Sequence, residues 1–246
     1  MQKQIIGNAT LYCGDVLDVL PALSERFDAV ITDPPYSSGG THKSDRSAPP
    51  SDKYVGHTQY AEFSGDNRDQ RSWAYWSTLW MSGAARLVRP GGYVMVFSDW
   101  RQLPTMTDVF QAGGVLWRGL VVWDKTQASR APHTGYFRHQ AEYVVWGSNG
   151  KLDKCLHGGP FPGVITQRVV PSEKLHMTAK PVQLMAELVK PLAPDAHVLD
   201  PFMGSGTTAI PVLARGGRFT GIEMTNQYFD IACARIEKAQ AEAAQV

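Results

Sequence analysis

Apolar residues along the chain collect into short runs separated by polar stretches containing glycine and proline. Runs rich in β-branched and aromatic residues at about 10–13, 28–32, 92–97, 119–123, 142–146, 196–200 and 218–222 read as strands. Longer amphipathic stretches at 72–88, 181–193, 206–215 and 225–240 read as helices. In the last of these, Phe229, Ala232, Cys233 and Ile236 follow i, i+3, i+4, i+7 spacing and predict one buried stripe. Asn226 is the expected N-cap of that helix, and the tail AQAEAAQV is expected to fray. Strands followed by helices imply a mainly parallel α/β sheet. GLVVW and EYVVWG, with Pro132 and Gly135 between them and no helical pattern, instead predict a long hairpin and one antiparallel strand.

Two stretches carry no such pattern. Residues 37–71 are polar, rich in Gly, Ser and Pro, and charged with both signs, which predicts a flexible insert. Residues 147–176 are loop-like around HGGPFPG, with Lys and Arg scattered through them. The 246 residues are expected to form a single domain. No apolar run approaches the ~18 residues of a spanning helix, and the N-terminal MQKQIIGNAT lacks a signal-peptide core. Three scattered cysteines (Cys13, Cys155, Cys233) argue against a disulfide framework and for a reducing cytoplasm. No CxxC or HxxxH spacing supports a metal.

The net charge of +1 says little by itself. Its distribution says more, because residues 118–180 hold nine Lys and Arg against four acids. A basic surface on a neutral chain suits a nucleic-acid face, and equally a solvated positive patch.

HVLDPFMGSGTTAI runs from a strand through a Gly-rich turn into a helix. Gly204 and Gly206 permit a tight turn and a close backbone approach to a ligand. Pro211 is tolerated only near a first turn, so the helix is expected to start close to Gly206. Glu223 ends the next strand, 23 residues past Asp200, about where a nucleotide-binding unit places an acid on ribose hydroxyls. This unit lies late in the chain, so earlier strands must complete the sheet. Such an order argues against an ordinary dinucleotide dehydrogenase.

ITDPPYSSGG ends a buried strand on a carboxylate, two prolines and a tyrosine. Ligands of open α/β sheets bind at the carboxyl ends of strands, so Asp33 and the Gly204 turn can share a pocket. Pro34 and Pro35 lack N–H groups and leave their carbonyls as acceptors beside Asp33. Acceptors without donors suit a group with two N–H bonds, such as the exocyclic amine of a nucleobase. Asp33 and the Pro34 carbonyl would hold that amine and free its lone pair, while Tyr36 stacks on the base. Such a base must leave the duplex to be reached.

Taken together, these motifs resemble the amino-group DNA methyltransferases of permuted strand order, with an adenine-N6 type motif. The resemblance covers TLYCGDVLDVLPALSERFDAVITDPPY at 10–36, RLVRPGGYVMVFSD at 86–99, LVVWDK, AEYVVWG, HMTAKPVQLMAELV at 176–189 and DPFMGSGT at 200–207. It implies a Rossmann-like three-layer methyltransferase fold with a mostly parallel seven-stranded sheet and one antiparallel strand. It also implies S-adenosyl-L-methionine as cofactor and double-stranded DNA as substrate. Asp33, Pro34, Pro35 and Tyr36 match the catalytic motif, and Asp15 the acid that contacts the cofactor's adenine. Asp33, Asp200, Phe202, Gly204, Ser205, Gly206 and Thr207 line the cofactor site in this reading, with Glu223 on the ribose. Lys180, before a helix expected to start with Pro181 at N1, would serve the methionine end.

The DNA face is expected in Arg46, Lys53, Arg68 and Arg71 of the insert, and in Lys125, Arg130, Arg138, Lys151, Lys154 and Arg168. Residues 147–176 stand in for target recognition. Trp73, Tyr75, Trp76, Leu79, Trp80 and Met81 are more large apolar residues than one buried stripe needs, so a homodimer is expected. A cognate restriction endonuclease would be a separate protein, and the location is expected to be cytoplasmic. Cytosine-N4 methylation, transfer to RNA or a protein amide, and DNA binding without catalysis remain open at this point.

Overall fold

The computed structural model describes residues 1–37, 68–129, 133–152, 158–169 and 180–243. Among these residues nine strands form one sheet: β1 (Gln2–Ile6), β2 (Ala9–Cys13), β3 (Phe27–Thr32), β4 (Val88–Ser98), β5 (Leu116–Asp124), β6 (Ala141–Ser148), β7 (Val164–Thr166), β8 (His197–Asp200) and β9 (Arg218–Glu223). Their order across the sheet is β1-β2-β9-β8-β3-β4-β6-β5-β7. The seven strands expected from the apolar runs are all present, and β5 and β6 form the expected antiparallel hairpin. Two edge strands, β1 and β7, were not legible. β1 is mostly exposed and polar, so it carries no apolar run, and it adds a second antiparallel strand. β7 is three residues long and adds to the edge of β5 from within the loop-like 147–176 stretch.

The helices are α1 (Val16–Val19), α2 (Gln70–Leu87), α3 (Leu103–Ala112), α4 (Val182–Leu188), α5 (Ala209–Ala214) and α6 (Asn226–Ala243). They cover both faces of the sheet, and strand alternation divides the core accordingly. Ala29, Ile31, Met95 and Phe97 face a core closed by Leu184 and Met185 of α4, Val212 of α5, and Phe229, Ala232 and Ile236 of α6. Val30, Val94 and Val96 face the opposite core, closed by Trp73, Trp80 and Met81 of α2 and Met106, Val109 and Phe110 of α3. No helix among the described residues is long and apolar enough to cross a membrane.

Several helix ends differ from expectation. Asn226 is the first residue of α6, and the Thr225 carbonyl receives the Phe229 N–H. Pro181 is the N-cap of α4, its extended backbone (ψ 140°) lying outside the helix. α5 begins at Ala209, because the chain from Met203 to Thr207 first makes tight turns, with Gly204 and Gly206 at φ 51° and 77°. α2 starts at an Asp69 cap whose carboxylate accepts the Arg71 and Ser72 N–H groups at 3.0 and 3.1 Å.

Candidate active site

The parallel strands β2, β9, β8, β3 and β4 point their carboxyl ends to one edge. From β8 the chain crosses to β9 on one side; from β3 it crosses to β4 on the other. The crevice between β8 and β3 is therefore the topological switch point, where open α/β sheets bind ligands. Asp200 ends β8 and Asp33 follows β3, so both motifs flank this crevice.

Asp33 lies in a compact charge cluster. Tyr36 donates its hydroxyl to Asp33 Oδ1 at 2.5 Å, and the Lys180 ammonium donates to Oδ2 at 2.5 Å. Glu142, at the start of β6, also faces both groups. Its Oε1 is 2.9 Å from the Lys180 ammonium and 2.9 Å from the Tyr36 hydroxyl, and Lys125 reaches Oε2 at 3.4 Å. The Lys180 and Glu142 side chains are only 8% and 12% exposed. Burial, reinforced by the Glu142 charge, pushes the Asp33 carboxyl up against the pull of Lys180. Burial pushes Glu142 the same way, but the Lys180 and Lys125 ammoniums outweigh it and hold Glu142 below the usual range. Lys180 is held charged, the two carboxylates overcoming its own desolvation.

The two proline carbonyls do different work. The Pro35 carbonyl accepts the indole N–H of Trp73 at 2.8 Å, which ties the motif to α2. The Pro34 carbonyl makes no hydrogen bond among the described residues, and Pro34 itself is buried. Lys180 lies 5.6 Å from the Tyr36 ring centroid and 5.0 Å from that of Phe97.

On the β8 side, Asp200 is turned inward. At 2% exposure it accepts the hydroxyls of Thr32 and Thr208, each at 2.6 Å, and the Phe202 N–H at 3.1 Å. It therefore ties the ends of β3 and β8 to the Gly-rich turn. Ser205 and Thr207 are buried too, pinned by Arg235 of α6, which donates to the Ser205 carbonyl and Oγ at 3.3 Å and to Thr207 Oγ1 at 2.9 Å. A Cβ on Gly206 would lie 3.3 Å from that of Ala232, so this glycine serves helix packing. Phe202 and Gly204 are the partly exposed residues of the turn, and Phe202 packs edge-on against Trp80 at 5.0 Å.

Glu223 accepts the Gly204 N–H at 3.2 Å and the Thr225 N–H at 2.8 Å, and burial raises its carboxyl. Asp15 caps α1 by accepting the Leu17 N–H at 2.8 Å, beside the end of β9. Asp15, Glu223, the Gly204 turn and Asp33 thus follow one another across four neighbouring strand ends. At ~4.8 Å per strand this row spans about 14 Å, the length of a nucleoside carrying an amino-acid tail.

Of the cations expected on DNA, Arg46, Lys53, Arg130 and Lys154 lie outside the described residues. Lys125 lines the Asp33 cluster against Glu142, with its ammonium 5.7 Å from the Trp123 ring. Arg68 stacks its guanidinium 4.3 Å over Trp76, and its N–H reaches Ser37 Oγ at 3.3 Å. Arg138 donates to the Ser129 carbonyl at 2.9 Å within the β5–β6 loop. Arg71, Lys151 and Arg168 are exposed. Lys180, expected at the cofactor's methionine end, joins the Asp33 cluster. Glu142, Trp73 and Arg235 were not foreseen.

The sequence profile of the DNA methylase family with N6 and N4 members matches residues 27–155 and 157–234. The chain belongs to this DNA methylase family. It is 26% identical over 231 residues to the type II methyltransferase M2.DpnII of Streptococcus pneumoniae, covering 87% of this chain and 83% of that one. It is 28% identical over 268 residues to M.ScaI of Streptomyces caespitosus, covering 92% and 81%. Among solved structures, the M1.HpyAVI–SAM complex superposes with a TM-score of 0.67 at 22% identity, covering 93% of this methylase and 98% of that chain. The cytosine-N4-specific PvuII DNA methyltransferase gives a TM-score of 0.67 at 15% identity, covering 98% and 93%. Both likenesses show the fold. It is the Rossmann-like one expected from the motifs, with the nucleotide-type unit β8–α5–β9 late in the chain.

Proposed function

We propose that this methylase moves a methyl group from S-adenosyl-L-methionine to the N6 amine of adenine in duplex DNA, acting on a base turned out of the helix. The observation that carries the reading is the Asp33 carboxylate at the switch-point crevice, followed by a Pro34 carbonyl that makes no hydrogen bond among the described residues. Together they offer two acceptors to the two protons of an exocyclic amine.

The row of strand ends fits the cofactor. Asp15 would hold its adenine and Glu223 its ribose hydroxyls, with Phe202 and Gly204 along its length. Bound there, it supplies an activated methyl on a good leaving group. The protein's own contribution is positional. Asp33 and Pro34 accept the amine's protons and favour the form with a free lone pair. Tyr36 holds the base, and the buried surroundings exclude water. The Asp-Pro-Pro-Tyr spelling supports adenine over cytosine, although both bases present the same two protons.

Residues 37–71 and 147–176 of the single domain would share target recognition, with the arginines and lysines named above on phosphates. The charge count over 118–180 supports this. Tyr75 and Leu79, exposed one turn apart on α2, support a homodimer. The test is methyl transfer to duplex oligonucleotides with base-resolved product analysis. N6-methyladenine is expected. N4-methylcytosine as the only product, or a preference for RNA over duplex DNA, would overturn the reading.

A further inference from the structure

We propose that Glu142 is a positioning residue of this site, a second carboxylate onto which Lys180 and Tyr36 transfer so that Asp33 can accept the substrate amine. The proposal rests on the amino-methyltransferase reading of Asp33. Its starting point is that each Asp33 oxygen already accepts a hydrogen bond, Oδ1 from Tyr36 and Oδ2 from Lys180, which leaves one lone pair on each. An incoming amine competes with both donors for this carboxylate, and it is held best when they turn away.

Displacement alone would be costly. The Lys180 side chain is 8% exposed, and removing it from its carboxylate without a replacement leaves a buried charge uncompensated. Glu142 removes this obstacle. The same two donors that fill Asp33 already reach Glu142 Oε1, Lys180 at 2.9 Å and Tyr36 at 2.9 Å. The Tyr36 hydroxyl has one proton, so it can donate to only one carboxylate at a time. Turning that proton and the Lys180 ammonium toward Glu142 frees both Asp33 oxygens with no charge leaving the cluster. Lys125, on Glu142 Oε2 at 3.4 Å, holds the receiving carboxylate in place. No other described carboxylate receives hydrogen bonds from both Tyr36 and Lys180.

The test compares Glu142→Gln with wild type in single-turnover methyl transfer to duplex DNA across pH, with cofactor affinity measured by calorimetry. The charged groups facing Asp33 are Lys180, Tyr36 and Glu142, with Lys125 behind Glu142 and Asp200 on the neighbouring strand. The plateau rate of Glu142→Gln is expected to fall by up to roughly 100-fold, the order of loss when reacting groups are misplaced by about 1 Å. Its acid limb should nevertheless move to lower pH, because a negative neighbour of Asp33 is gone. Lys180→Gln should move the acid limb the other way. Glu142→Asp, which keeps the charge, should return the limb toward its wild-type position. Cofactor affinity should be unchanged in Glu142→Gln, which also shows that the variant is folded. A wild-type plateau rate in Glu142→Gln, or a reduced rate with an unmoved acid limb, would overturn the proposal. A wild-type protein that methylates no DNA amine would instead refute the reading of Asp33 beneath it.

Discussion

Asp200→Asn tests whether the carboxylate at the end of β8 is an internal tie or a ligand contact. The side chain is 2% exposed and holds Thr32, Thr208 and the Phe202 N–H. Burial outweighs those three donors and pushes its carboxyl up to about 6. The folded state therefore binds the proton more tightly than the unfolded chain, where an Asp titrates near 3.9. Stability from this group rises as pH falls through 6 and is complete below 3.9. Between pH 7 and pH 4.5 the linkage relation gives a gain of about 2 kcal/mol. Asparagine keeps the shape and cannot titrate, so the variant lacks that gain.

The wild-type curve alone would hide it. His197, at the other end of the same strand, is held down to about 4, chiefly by burial and then by Arg218. The unfolded chain takes up that proton first, so His197 costs about 2.5 kcal/mol over the same interval. The difference between the two proteins cancels His197. Urea unfolding followed by tryptophan fluorescence at pH 7 and pH 4.5 should show the stability difference move by about 2 kcal/mol in favour of wild type at the lower pH. A difference that is equal at the two pH values, or that moves the other way, would refute the reasoning.

Two further substitutions address the Gly-rich turn. Arg235→Met removes the hydrogen bonds to Ser205 and Thr207 while keeping the aliphatic stem; cofactor affinity by calorimetry should weaken about tenfold, the equivalent of one charged hydrogen bond of ~1.4 kcal/mol. Gly221→Ala would drive a methyl into Met203 Sδ and to 2.7 Å from the Phe219 ring; overpacking of this kind costs about 1–3 kcal/mol, read as a lowered Tm.

What could be read from the sequence was local. β3 into Asp33 and β8 into the Gly-rich turn each lie within a few residues, so pattern and spacing reveal them. The β5–β6 hairpin was legible for the same reason. The missed elements needed tertiary partners. Glu142 looks like an ordinary strand residue, and its donors lie 106 residues earlier at Tyr36 and 38 later at Lys180. Trp73 reaches Pro35 across 38 residues, and Arg235 reaches Thr207 across 28. Spacing rules assigned Ser205, Thr207 and Asp200 to a ligand; they could not show that all three are also buried and hydrogen-bonded within the protein. The α3 pattern, with Met106, Val109 and Phe110 buried at i, i+3 and i+4, was present in the sequence and overlooked. β1 had no such signal, since an exposed edge strand needs no apolar alternation.

Asp33 is the proposed acceptor of the substrate amine. The most direct measurement is transfer of labelled methyl from S-adenosyl-L-methionine to duplex DNA by Asp33→Ala, with cofactor binding measured on the same preparation. Transfer is expected to be lost while the cofactor still binds with nearly wild-type affinity. Undiminished transfer by Asp33→Ala would contradict that role.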